Sequence, residues 1–153
     1  MILNLYLVRH GAALPASVDP ERPLSKEGRA CVGALADYLS RSIAPPAFIA
    51  TSSKARARET AEILAARLNP PEGIINMSGL LPDDSPDIIA ALPGECKKDL
   101  MVVSHLPLLD VALVFLTGAQ ATAGSGFNTG TCIHLKAANN GWSIKRRVHC
   151  ADL

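Results

Sequence analysis

The chain opens with an apolar run, Leu3 to Val8, that breaks at Arg9-His10-Gly11. A short β-friendly run closed by a polar break predicts a buried strand ending at Arg9-His10. Ala12 to Pro23 holds Pro15, Pro20 and Pro23 and few apolar residues, so it reads as a surface loop before Ser25 caps a helix. Cys31, Leu35, Tyr38 and Leu39 then recur at helical spacing and supply a face for packing on a sheet. Pro45-Pro46 closes that helix region. Ala47 to Thr51 predicts a second buried strand, with Ser52-Ser53 as the N-cap of a helix whose inner stripe is Ala57, Ala61, Leu64 and Leu68.

Asn69-Pro70-Pro71 stops the second helix. Gly73 to Met77 predicts a short strand, and Ser85-Pro86 with Ile88, Ile89 and Leu92 a short helix. Leu100 to Ser104 is a strand pattern ending at His105, and Pro107 suits the first turn of a helix carrying Leu108, Ala112, Phe115 and Leu116 on one side. Asn128 to Leu135 and Trp142 to Val148 flank Asn139-Asn140-Gly141, which turns back as a hairpin. Strands alternating with helices imply an α/β domain of three layers, α/β/α, around a mostly parallel mixed sheet with a C-terminal antiparallel edge. A single domain spanning residues 1–153 is expected, and no internal repeat is visible.

Composition narrows the function. With 48% hydrophobic and 19% charged residues the chain can bury a core, and disorder is not expected. Fifteen Lys+Arg against 14 Asp+Glu leave a formal charge of +1, which provides no broad field for nucleic acid or for an anionic membrane surface. The apolar stretch Leu106 to Thr117 is interrupted by Pro107 and Asp110 and falls short of the roughly 20 residues that a membrane span needs. The N-terminus has no basic region ahead of its apolar run, so it reads as a strand rather than a leader. Cys31, Cys96, Cys132 and Cys150 stand at neither metal-knuckle nor redox spacing, and free thiols in a cytoplasmic protein are expected.

In open α/β sheets ligands bind beyond the carboxyl ends of the strands, where this pattern puts Arg9, His10 and His105. Arg56 lies in the first turn of the helix that follows another strand, and its side chain leans back toward the same rim. Two arginines and two histidines with no carboxylate nearby in sequence suit a phosphoryl group, because guanidinium forks hold its equatorial oxygens. Phosphoryl transfer depends mainly on in-line placement and charge stabilisation, and a neutral imidazole can be the nucleophile.

These residues resemble a known pattern. Val8-Arg9-His10-Gly11, Ser52-Ser53-Lys54-Ala55-Arg56-Ala57 running to Thr60-Ala61, and Val103-Ser104-His105-Leu106-Pro107 are similar, in order and spacing, to the histidine phosphatase superfamily with its phosphoglycerate mutase-like fold. Arg22-Pro23-Leu24-Ser25 ahead of Gly28, and Ser104-His105-Leu106-Pro107-Leu108, look like the SixA-type phosphohistidine phosphatases. The resemblance implies that His10 is the nucleophile that becomes phosphohistidine, with Arg9, Arg56 and His105 around the phosphoryl group. It further implies that Arg22, Gly11 and the Leu106 amide contact substrate, and that no metal or organic cofactor is used. Two positions depart from the pattern: Ser53 stands where a proline is usual, and Glu59 where a glutamine is.

Many phosphoester-cleaving relatives carry an acid between the second and third motifs, and Gly79-Leu80-Leu81-Pro82 offers none. Asp83, Asp84 and Asp87 follow, in a setting that suits a solvated turn and helix start. An alkoxide leaving group gains much from a positioned acid, whereas imidazole, with a pKa of about 6.5, can depart as a neutral ring. The expected function is removal of phosphate from a histidine-phosphotransfer or phosphocarrier protein, in signal transduction or a related process. The alternatives are a small-molecule phosphomonoesterase using one of the three aspartates, and a non-catalytic phosphate-binding module. Phosphate and similar oxyanions are expected to compete for the clamp. Lys54, Arg58 and Arg67 read as a solvated basic face able at most to attract an acidic partner. His134 and His149 read as non-catalytic, and Trp142 and Phe127 as packing.

Overall fold

The computed structural model describes residues 2–118 and 126–153. Six strands form one sheet: β1 (Asn4–Arg9), β2 (Ile49–Thr51), β3 (Ile74–Asn76), β4 (Leu100–Ser104), β5 (Thr131–Ala138) and β6 (Gly141–His149). Four helices alternate with the first strands: α1 (Lys26–Ser42), α2 (Ala55–Leu68), α3 (Asp87–Cys96) and α4 (Leu108–Thr117). The strand order is β3-β2-β4-β1-β5-β6. The first four strands in that order are parallel, and β5 and β6 add the antiparallel edge. This is the mixed α/β sheet that the alternation implied.

Strand periodicity sends alternate side chains to opposite faces and so builds two cores. Leu5, Leu7, Leu100, Val102, Ile133 and Leu135 pack with α3 and α4. Tyr6, Val8, Met101, Val103 and Cys132 pack with the α1 stripe of Val32, Leu35, Ala36 and Leu39 and the α2 stripe of Ala57, Ala61, Leu64 and Leu68. Cys31 and Tyr38 lie at the edge of the α1 stripe rather than in it.

Ser25 caps α1 as expected, accepting from the Gly28 amide at 3.0 Å. Three expectations need correction. Phe115 is 64% exposed, because α4 is apolar nearly all round and turns Leu108, Leu109, Ala112, Leu113 and Leu116 inward instead. The N-cap of α2 is Lys54, not a serine, and no side chain caps it. Cys31 and Cys150 are disulfide-bonded with Cα atoms 5.1 Å apart, while Cys96 and Cys132 are free. The β5-β6 hairpin carries the chain back to a 3-10 turn (Cys150–Asp152) against α1, a proximity that a separation of 119 residues conceals.

Candidate active site

The parallel register puts three strand ends on one line: Arg9 pairs with Ser104, and both Val8 and Thr51 pair with Val103. The residues that follow these ends are His10, His105 and the start of α2. Ligand crevices of open sheets form at such ends. The His10 and His105 rings stand 5.0 Å apart, centroid to centroid, and are 7% and 1% exposed.

His10 has a fixed tautomer. Its Nδ1 lies 2.7 Å from the Gly11 carbonyl, which can only accept, so Nδ1 carries the proton and Nε2 keeps its lone pair. Burial pushes the ring pKa down to about 4; the bond to Gly11 opposes this, while Arg56, Arg9 and Arg22 add to it. His105 is pushed down to about 3, first by burial and then by His10, Arg56, Lys54 and Arg9. Both imidazoles are neutral at physiological pH. His105 Nε2 and the Ser52 hydroxyl are hydrogen-bonded at 2.6 Å, and His105 Nδ1 is buried with no protein partner.

The arginines carry unspent charge. Among the described residues no carboxylate lies within 4.0 Å of Arg9, Arg22, Lys54 or Arg56. Arg9 donates from Nη1 to the Phe127 carbonyl at 2.8 Å, and its Nε is buried without a partner. Burial disfavours the charge of Arg9, against which Asp110 acts, and burial and the neighbouring Arg22 disfavour that of Arg56. Cations desolvated in this way, with no carboxylate paired to them, are what an incoming oxyanion neutralises. Arg22 reaches the same place from a loop, where its backbone is left-handed at φ 49° and its Nε donates to the Leu14 carbonyl at 3.1 Å. A bulky residue held in that region of backbone space is strained, and such strain concentrates at functional sites.

Two of the residues expected to touch substrate differ in kind. Gly11 is buried with both backbone groups engaged: its amide donates to Thr60 Oγ1 at 3.0 Å and its carbonyl accepts from His10. A Cβ here would come within 2.6 Å of Val32 Cγ2, so the glycine serves close packing and makes no free contact. Leu106 is half-buried beside His105, joined to Pro107 by a cis peptide. Asp83 and Asp87 are exposed, and Asp84 accepts from the Leu81 amide at 2.9 Å.

Sequence reasoning missed the supports. Thr60 ties α2 to the His10 loop, accepting from Gly11 and donating to the Arg56 carbonyl at 2.7 Å. Glu59 holds the Arg22 loop by accepting from the Leu24 amide at 2.8 Å, and pairs with Arg29 at 3.0 Å. Ser52, read as a cap, instead meets His105. Its position directly after a strand end was the available signal. His134 is hydrogen-bonded to Asn4 at the opposite end of β1, and His149 to Thr131. No group of three or more His, Cys, Asp or Glu suited to a metal occurs among the described residues.

Residues 5–80 match the family model of the histidine phosphatase superfamily (branch 1), and the chain belongs to that superfamily, as a phosphatase. In structure it is similar to the protein histidine phosphatase SixA complexed with tungstate, with a TM-score of 0.86 and 22% identity over 98% of this chain and 99% of that one. It is also similar to the alpha-ribazole phosphatase of Shigella flexneri, with a TM-score of 0.70 and 17% identity over 94% and 95% of the two chains. A mycobacterial glucosyl-3-phosphoglycerate phosphatase complexed with VO3 gives a TM-score of 0.69 and 17% identity over 94% and 98%. No curated protein matches the sequence.

Proposed function

We propose that this phosphatase removes phosphate from a phosphohistidine on another protein, a histidine-phosphotransfer domain or phosphocarrier, through a phosphohistidine on His10. His10 Nε2 attacks phosphorus in line as the substrate N–P bond breaks. Arg9 and Arg56 hold the equatorial oxygens, with Arg22 and the Leu106 amide at the rim. His105, neutral, gives a ring N–H to the phosphoryl group. The substrate imidazole leaves as a neutral ring when its other nitrogen carries a proton. Water then attacks the phosphorus on His10, releasing phosphate and restoring the free imidazole.

The observation that carries this reading is the pairing of two neutral histidines 5.0 Å apart with arginines that have no carboxylate in reach. The site has a nucleophile and an anion clamp, and among the described residues no carboxylate comes within 4.0 Å of the clamp's cations, which suits a leaving group that needs little protonation. Acid-quench trapping with a 32P-labelled phosphohistidine protein tests it. An acid-labile, base-stable label should form on the wild type and be absent from His10→Ala; an unlabelled wild type would reduce the protein to a phosphate binder.

One observation favours a second reading, a small-molecule phosphomonoesterase. Asp84 borders a cavity of about 360 Å³ that also touches Ser53 and Ser78, next to the phosphoryl pocket. Turnover of an alkyl phosphate that falls in Asp84→Asn would favour it. A cytoplasmic place follows from the phosphocarrier reading; the Cys31–Cys150 bond, of a kind seldom kept there, stands against it.

A further inference from the structure

The basic side chains along α2 do not form one solvated face. Arg67 is paired with Asp37 at 2.7 Å, and Arg58 reaches Glu62 at 3.9 Å and the Ser53 carbonyl at 3.1 Å. Lys54 has no such partner among the described residues. It stands exposed at the N-cap in extended backbone (φ −67°, ψ 136°), on a cavity of about 420 Å³ that it shares with Pro20, Glu21, Arg22, Ser53 and Arg56. That cavity opens onto the phosphoryl site through Arg56, and the Lys54 charge is felt at His105.

Charge counting shows what the cavity lacks. A phosphoryl group carries up to two negative charges, which meet Arg56 and Arg9, the latter already acted on by Asp110 from outside the cavity lining. Lys54 and Arg22 remain, against the single carboxylate of Glu21, which comes within 4.0 Å of none of the cations. Arg22 is held there despite its left-handed backbone and despite facing Arg56. Like charges gathered in this way repel unless a further anion binds between them.

We propose that Lys54 and Arg22 form a second anion subsite, which selects substrates bearing a carboxylate beside the scissile phosphoryl group; on a protein, this is a Glu or Asp side chain flanking the phosphohistidine. The subsite rests on the phosphatase reading and names part of its substrate class. It also explains how the site tells one phosphohistidine surface from another, since charged rims steer and select partners.

Two measurements test the subsite, one of them needing no turnover. Calorimetric affinities for phosphonoacetate and methylphosphonate compare an anion that has a carboxylate with one that lacks it. Rates, as kcat/KM, on two phosphohistidine peptides that differ only in flanking Glu or Gln make the same comparison on substrate. The wild type should favour the carboxylate about tenfold, and less at high salt. Lys54→Ala should bring the ratio close to one, and Lys145→Ala, which makes the same change in net charge on β6, should leave it intact. Equal affinity of the wild type for the two phosphonates, or a ratio unmoved by Lys54→Ala, overturns the subsite. A Lys54-dependent preference for phosphonoacetate with neither peptide hydrolysed keeps the subsite and overturns the phosphohistidine reading instead.

Discussion

Strand β1 has buried histidines at both ends, His134 at one and His10 with His105 at the other, and the two ends are built on opposite terms. At its start, His134 is stacked on Tyr6 with centroids 4.4 Å apart and donates from Nε2 to Asn4 Oδ1 at 2.7 Å. Asp99 completes that network, accepting from the Asn4 backbone and side-chain amides at 2.8 and 3.1 Å. At its far end, His105 Nδ1 and Arg9 Nε are buried without partners, and among the described residues no carboxylate lies within 4.0 Å of the cations. Yet burial pushes His134 down to about 4, the same value as His10. A perturbed pKa therefore does not separate the ends. Unsatisfied polarity does, because buried groups left unpaired mark the place where a ligand completes the structure.

The largest expected effect breaks this symmetry of histidines. His10→Ala should lower turnover of a phosphohistidine substrate by at least about a thousandfold, the scale lost with the nucleophile of a covalent catalyst. His134→Asn should change kcat/KM by less than about threefold, as expected of a residue remote from the reacting atoms. Steady-state rates on both variants decide; a comparable loss in His134→Asn would mean that the two ends are coupled.

The next effect tests how the unsatisfied end is held. The Cys150 amide donates to Gly130 O at 3.1 Å, and the Gly130 amide to the Arg9 and His10 carbonyls at 3.1 and 3.0 Å. The disulfide thus straps the His10 loop to α1, and among the described residues no second disulfide holds the His134 end. Closing a loop of 119 residues stabilises by about 4–5 kcal/mol in the chain-entropy model. The double variant Cys31→Ser, Cys150→Ser should unfold at correspondingly lower urea; a loss below about 1 kcal/mol would show that the strap contributes little.

Much of this contrast was legible in the sequence, for reasons that also explain what was not. Arg9, His10, Arg56 and His105 could be brought together because each follows a strand pattern, and parallel strands put those ends on one rim. Gly11 stands beside His10 as the chain order requires, but that its amide is taken by Thr60, 49 residues away, could not be read from spacing. Phe115 was misplaced because a helix apolar on nearly every side gives little periodicity from which to choose a face. The disulfide and the work of Ser52 depend on distances across the fold, to which spacing along the chain is blind.

Asn4→Ala should act at the satisfied end alone. It leaves His134 Nε2 and one Asp99 oxygen without their partner, and a loss of about 2–3 kcal/mol is expected with turnover retained. Thermal unfolding alongside activity checks it; intact stability would mean that solvent replaces the network.

Acid should reach the buried histidines late. His10, His105 and His134 sit at about 4, 3 and 4 when folded, against 6.5 for the free side chain. Unfolding therefore takes up protons below pH 6.5, so the stability linked to these groups is complete above 6.5 and lost as the pH falls toward 4. Neutral His10 persists to lower pH, so its ring, followed by NMR in the free protein, should titrate near 4 and show no change through 6.5, provided the fold survives. A His10 titration at 6.5 would show that the ring is solvated in the folded protein.

The smallest effect has the least intuitive sign. Arg56 is disfavoured as a cation by burial and by Arg22, and no carboxylate compensates it. Arg56→Met keeps the aliphatic stem and the backbone carbonyl that accepts from Thr60, and removes only the guanidinium. The free protein should keep its Tm or gain slightly, because the change removes a cation that burial and Arg22 disfavour. Turnover should fall by about 100-fold or more, the scale of losing one donor to transition-state charge. Added phosphate should restore the order, raising Tm in the wild type more than in the variant. If Arg56→Met instead lowers the Tm of the free protein, the rim is already satisfied without a ligand, and the distinction between the two ends of β1 disappears.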